Sequence, residues 1–354
     1  MIRYILFVVF AIFSLLFFSC TNEANKTSIN ITNFDTGFSL YQDTVFVDIE
    51  GEMTHALKYQ DKFYVLFEQS FLEHGNYSRL LYIFSSGKIE KIIDLPQKIG
   101  VGYLDFFVKN DSIIIKPYME TKYYYFDTLD LIFKEIEKID DLIFEDEKFY
   151  VYSLDFGEWG GMTWFKEKKT DIEYYIEIAT PLVNKIDSAY YLTTYYEVIK
   201  INNPLQLNKC DNDLFYENFE RKGKEFYLYN ESADYSVIYN DTTYPYFTPN
   251  FPFKYKPRIV SSFAWQNELF HIYETDSITY IAKIENNSIK PIEIIDKELF
   301  FYNYHASYRC RNIKGNNELL KFRTKDEHLF GLMEMVDNTI FIHYIVNQAD
   351  INYE

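Results

Sequence analysis

Residues 142–153 read LIFEDEKFYVYS. An apolar approach meets a short charged turn, and the chain leaves it as FYVY, all aromatic or β-branched. Such side chains suit a pleated, half-buried surface, while Asp, Asn and Gly suit tight reversals because they tolerate positive φ and bond locally to the backbone. The phrase therefore predicts a β-hairpin. It recurs as KYQDKFYVLF from Lys58, FVKNDSIIIK from Phe107, VNKIDSAYYLTT from Val183, ERKGKEFYLYN from Glu220, FAWQNELFHIYE from Phe263 and MVDNTIFIHYIV from Met335. Aligned on Asp61, Asp111, Asp146, Asp187, Gly223, Asn267 and Asn338, the copies stand 50, 35, 41, 36, 44 and 71 residues apart.

Most copies are followed by a second hairpin, clearest in RLLYIFSSGKIEKIIDL (79–95) and SITYIAKIENNSIKPIEII (277–295). Four strands in 40–45 residues is the period of a propeller blade. A sandwich needs no such repeated unit, a parallel β-helix uses shorter coils, and radial closure protects the edges of aromatic strands. IFKEIEKIDDLI has some helical spacing, but its flanks favour strand. The expectation is an all-β propeller of seven blades, with six the other count because the interval after Asn267 is long. The early segment 38–51, FSLYQDTVFVDIEG, is expected to supply strands that close the ring.

The chain has 354 residues, including 34 Tyr and 33 Phe, with only 12 Gly and 9 Pro. Some 320 residues of such composition can bury roughly three quarters of their unfolded surface. The net charge is −18, which repels phosphate backbones and argues against nucleic acid as a partner.

The N-terminus carries one charge, Arg3, then an apolar run to Phe18, Ser19 and Cys20. This is the pattern of an export signal over residues 1–19. With Cys20 directly after the small residue it resembles a bacterial lipoprotein signal, although Phe17 stands where such signals usually carry Leu. The resemblance implies lipidation of Cys20. An uncleaved helical anchor, at the short edge of a bilayer span, and a simple cleaved signal are the alternatives, and all three export the domain. Residues 20–35 are polar, without apolar period, and read as a flexible tether; the propeller is expected over 36–354. Thr21 rather than Asp at the second mature position favours the outer membrane, with the periplasmic or outward direction open. If Cys20 is lipidated, Cys210 and Cys310 form an even pair that could bridge in an oxidising compartment, or remain two buried thiols.

A signal ending in FFSC, a polar tether and blades such as FEDEKFYVYS together resemble the β-propeller lipoproteins of Bacteroidota type. The likeness covers essentially the whole mature chain. It implies an exported, lipid-anchored propeller and carries no shared activity.

Two stretches stand out as sites. In LDFGEWGGMTWF (154–165) three glycines frame Glu158 and Trp159, so a ligand could stack on Trp159 while Asp155 and Glu158 accept hydrogen bonds; the plainer reading is a bulged structural loop. In NDTTYPYFTPNFPFKYKPR (240–258) four prolines stiffen a loop carrying Tyr244, Tyr246, Phe251 and Tyr255, aromatics that could stack on a sugar or hold a peptide, or simply lid the ring. The six histidines show no metal spacing, and His271 and His343 read as packed strand residues. No metal, cofactor or nucleotide pattern appears: GVGYLD enters a strand rather than a helix, and no GxSxG occurs. Glycosidase chemistry needs a carboxylate pair, for which Asp155 and Glu158 are first in line. The sequence thus favours a non-catalytic binding or scaffold module for a protein or glycan ligand, with a carbohydrate-active hydrolase or lyase at the axial cleft, or a subunit of an envelope assembly, as alternatives.

Overall fold

The repeated turns adopt the conformation their residue types favour. Asp61, Asp111, Asp187 and Asn267 have φ of 60°, 56°, 53° and 60°. Asp146 works differently: its Oδ1 accepts from the N–H groups of Lys148 and Phe149, both at 2.8 Å. Each turn joins the first two strands of a sheet. A computed structural model describes the chain except residues 1–28, 48, 50, 72–75, 86–87, 97–98, 100–103, 110, 118–121, 137–141, 156–160, 211–233, 242–256, 298, 302–309, 312–317, 325–328 and 348–354.

Among the described residues the strands form six sheets arranged as a β-propeller. Blade I comprises Glu52–Tyr59, Lys62–Phe71, Asn76–Ser85 and Lys88–Asp94. Blade II comprises Leu104–Lys109, Ser112–Pro117, Tyr123–Asp127 and Ile132–Ile136. Blade III is Leu142–Glu145, Phe149–Asp155, Gly161–Glu167 and Glu173–Ile176, and blade IV is Leu182–Ile186, Ala189–Thr193, Glu197–Ile201 and Tyr235–Asn240. Blade V is Arg258–Trp265, Glu268–Glu274, Ile278–Glu285 and Ser288–Lys297. In blade VI the first strand is split: Leu299–Phe301 and Cys310–Arg311 both pair with Glu318–Thr324, followed by Leu329–Val336 and Thr339–Asn347.

The count is six, the lower of the two expected. Among the described residues blade IV takes its fourth strand from Tyr235–Asn240, and the phrase around Gly223, which falls between the third and fourth strands of that blade in the chain, lies outside the described residues. The connection between those two strands begins with the 3-10 turn Pro204–Gln206, capped by Asn203, and Asn208–Lys209 then adds a fifth strand to blade III. The long interval after Asn267 holds the split strand of blade VI. The helical spacing of IFKEIEKIDDLI resolves into Ile132–Ile136 and Leu142–Glu145, both strands.

Segment 38–51 closes the ring, in parallel sense. Ser39–Val47 runs beside Thr339–Asn347, from Ser39↔Thr339 to Val47↔Asn347, and Asn338 Nδ2 donates to Gly37 O at 2.7 Å. Gly37 sits at φ 90°, and a Cβ there would stand 3.2 Å from Trp265. Outside it, Asn30–Asn33 pairs antiparallel with Ser39–Gln42, so pairing reaches back into the segment read as tether.

Alternation along each strand sends side chains to the two neighbouring blades in turn, and the apolar ones form clusters in four of the six seams. Leu66 and Leu81 meet Phe106 and Ile115 between blades I and II. Val151 and Phe165 meet Tyr190 and Leu192 between III and IV. Phe263 and Phe270 join Phe301, Phe322 and Phe38 between V and VI, while Val65 and Phe67 meet Leu332 and Ile345 between VI and I. A smaller cluster, Met162, Trp164 and Cys210, lies within blade III and its added strand. Among the described residues no such cluster bridges II to III or IV to V.

Candidate ligand face at blades IV and V

Strands alternate in direction, so the first-to-second turns at Asp61, Asp111, Asp187 and Asn267 share one face of the ring. The second-to-third loops and the connections between blades share the other. Both stretches singled out in the sequence enter and leave on this second face: Asp155 pairs with Gly161 at one mouth, and Asp241 and Arg258 bracket the other. Glu158 and Trp159, and Tyr244, Tyr246, Phe251 and Tyr255, lie outside the described residues, as does the side chain of Asp155. Cys20 lies outside them too.

Gly161 is structural. A Cβ on it would stand 2.4 Å from Ala179 Cβ and 2.6 Å from Leu154 O, because residues 177–181 cross directly over the strand end. That crossing is fixed by hydroxyls: Thr180 N–H donates to Ser153 Oγ at 2.8 Å, and Thr163 Oγ1 donates to Ile178 O at 2.7 Å. Cys210 is buried against Met162 and Trp164. Cys310 pairs through its backbone with Leu319, but its side chain, and with it the bridge to Cys210, lies outside the described residues.

A denser arrangement surrounds the positions of Asp241 and Arg258. The turn after Ala189–Thr193 is closed by Thr194 N–H to Glu197 O at 2.8 Å and Glu197 N–H to Thr194 Oγ1 at 3.1 Å, and it presents Tyr195 and Tyr196 side by side, ring centroids 6.1 Å apart. Backbone from both blades clasps it: Ile259 N–H donates to Tyr195 O at 2.9 Å and Asp241 N–H to Tyr196 O at 2.8 Å. The Arg258 guanidinium lies 5.1 Å above the Tyr195 ring, donates to Phe301 O, and pairs with the fully buried Glu274 at 3.4 Å. Arg258 thus joins blades V and VI and is already neutralised.

The electrostatics follow from burial. Burial raises the Glu197 carboxyl above the usual carboxylate range, and Asn240 Nδ2 donates to it at 3.4 Å. Burial, then the neighbouring Tyr273 and Asp241, push the Tyr239 phenol up to about 12. Tyr273 is raised by burial and then by Asp241. Four phenols, two carboxyls and one paired guanidinium give ring faces for stacking and acceptors for hydroxyls. The sequence pointed to the flanks of this patch, Asn240 and Arg258, but missed Tyr195, Tyr196 and Glu197. Their only local sign is the doubled TTYYE after a strand.

The histidines read as packed are packed. His271 is fully buried, and His343 is inside the sheet with Nδ1 2.8 Å from Asp43 Oδ1. His55 is buried in the first strand of blade I, its charge opposed first by burial and then by Lys321 and Arg79.

No family model matches the chain, and no curated protein matches it in sequence. Among solved structures it is similar to selenomethionine-substituted virginiamycin B lyase from Staphylococcus aureus, with TM-score 0.32 and 11% identity over 91% of this chain and 89% of that one. Nothing about activity carries over at that likeness. The propeller itself is read from the six sheets and their closure.

Proposed function

We propose that this protein is an exported, lipid-anchored propeller that binds a protein or glycan ligand on the face formed by blades IV and V, without catalysis. The observation that carries the binding reading is the tyrosine patch: Tyr195 against the paired Arg258, Tyr196 beside it, and Tyr239 and Tyr273 grouped with Asp241, whose N–H donates to Tyr196 O. Stacking faces beside hydroxyl acceptors suit a sugar ring or an extended peptide. The anchor reading rests on the N-terminal signal with Cys20, and places the protein in the cell envelope, at the outer membrane. Glycan- and peptide-array binding by the full chain tests the ligand class, with Tyr195→Ala beside the rim control Tyr235→Ala. Equal binding by both variants would remove the patch from consideration. Metabolic labelling with a fatty acid, lost in Cys20→Ser, tests the anchor.

A second reading has one observation in its favour. Burial raises the Glu197 carboxyl above its usual range, the direction that a general acid of glycoside cleavage requires. Reducing-end release from glycans that is abolished in Glu197→Gln would support a hydrolase or lyase; unchanged release, or none from the parent, would not.

A further inference from the structure

The seam between blades IV and V differs in kind from the four apolar seams. Leu192 and Tyr190 point into the III/IV cluster, so Thr193 and Tyr191, between them in the alternation, face blade V. Phe270 and Ile272 point into the V/VI cluster, so His271 and Tyr273 face blade IV. What meets across the seam is therefore in part polar. Asn184 Nδ2 donates to Ser262 Oγ at 2.7 Å and to Ser262 O at 3.2 Å, and Ser262 stands directly opposite His271 in the sheet. Leu182, Val198 and Ile259 are buried nearby but belong to none of the apolar clusters.

Two groups in this seam are poorly served. His271 and Thr193 are both 0% exposed, yet neither His271 ring nitrogen nor Thr193 Oγ1 has a hydrogen-bond partner among the described residues. Buried polar atoms without partners favour any state that gives them water. The III/IV and VI/I seams have the opposite bias, because parting them exposes Val151, Phe165, Val65 and Phe67. Each sheet keeps its own ladder when a seam parts; among the described residues, what opposes parting at IV/V is the single backbone bond from Ile259 N–H to Tyr195 O and the Asn184–Ser262 pair.

We infer that the IV/V seam is the joint at which this ring opens: the two blades part and re-close in the native state, hydrating His271 and Thr193, while the III/IV and VI/I seams stay shut. The inference rests on the seam's side chains and stands or falls separately from the ligand reading.

Thiol labelling of the folded full chain, with sites assigned by peptide mapping, tests it. Val198→Cys places a thiol in the IV/V seam without removing a hydrogen bond, and Ala56→Cys places one in the VI/I seam, where Ala56 is 3% exposed. Opening at IV/V alone predicts labelling of Val198→Cys about tenfold or more faster than Ala56→Cys, since local openings cost less than global unfolding. Adding His271→Leu removes the two unserved nitrogens and should slow Val198→Cys labelling severalfold. Equal rates at the two sites, or a rate indifferent to His271→Leu, would overturn the inference. Should a cysteine variant fail to fold, hydroxyl-radical footprinting of the unsubstituted chain decides the matter. His271 should be modified well above Tyr190, each normalised to the urea-unfolded chain, and equal protection of the two would count against the joint.

Discussion

Acid should loosen this protein through His271, and the size of the effect can be worked out. The ring is fully buried, and burial alone lowers its pKa from 6.5 to about 3. The folded state therefore holds the imidazole neutral, whereas the unfolded chain takes up a proton below pH 6.5. A depressed histidine contributes stability that is whole above the unfolded value and is lost as the pH falls from 6.5 toward 3. At pH 5 the unfolded chain lies about 1.5 pH units past its midpoint and the folded ring is still neutral, so at about 1.4 kcal/mol per unit the loss is about 2 kcal/mol. His271→Leu cannot titrate. Its unfolding free energy should change between pH 7 and pH 5 by about 2 kcal/mol less than that of the parent. At pH 7 it should equal the parent or exceed it by about 1 kcal/mol, since two buried nitrogens without partners cost about that much or more. Urea denaturation of both proteins at the two pH values measures this. His55, also held neutral, contributes equally to both and cancels. Parallel pH profiles for parent and variant would refute the reasoning, and so would a leucine variant weaker by more than about 2 kcal/mol at pH 7, because it would mean the ring nitrogens are well bonded.

Other outcomes follow from single residues. Gly161→Val should cost about 1–3 kcal/mol in urea denaturation, because Ala179 and Leu154 O occupy the space its side chain needs. Asp146→Ala should cost about 1–3 kcal/mol: its carboxylate, although burial alone would raise it, is held below the usual range by Lys185 at 2.6 Å and the Tyr190 hydroxyl at 2.5 Å, besides capping the turn. Thermal unfolding with Asp187→Ala as a comparison checks it, and the Asp187 variant should suffer less. Tyr195→Ala should weaken ligand binding by about three- to tenfold by titration calorimetry, the worth of one stacked ring, while the thermal midpoint moves little.

The legible part of this fold was its local grammar. Asp61, Asp111, Asp187 and Asn267 announce their turns because positive φ is a property of one residue and its neighbours. The blade count was less legible. The phrase at Gly223 has the same grammar as a blade, and only the pairing of Tyr235–Asn240 with Glu197–Ile201 shows that it falls between two strands of blade IV in the chain. The candidate face was visible at its edges and hidden at its centre. Tyr195, Arg258 and Phe301 meet across three blades, a relation no window of sequence contains. The polar seam was hidden for a similar reason: alternation tells that His271 and Phe270 point opposite ways, but which neighbour each one meets depends on closure of the ring.

The parallel closure also sets how the ring is carried. Ser39 aligns with Thr339, just past the turn at Asp337, on the face that also bears the Asp61 and Asp111 turns. From there the chain doubles back as Asn30–Asn33, which ends beside Gln42, partway up the outer wall of blade VI. Whatever holds the N-terminus therefore grips the ring by its rim and not through the centre of either face. A hold at the rim leaves the centre of each face clear of the attachment point, so neither face is covered by the strand that carries the ring.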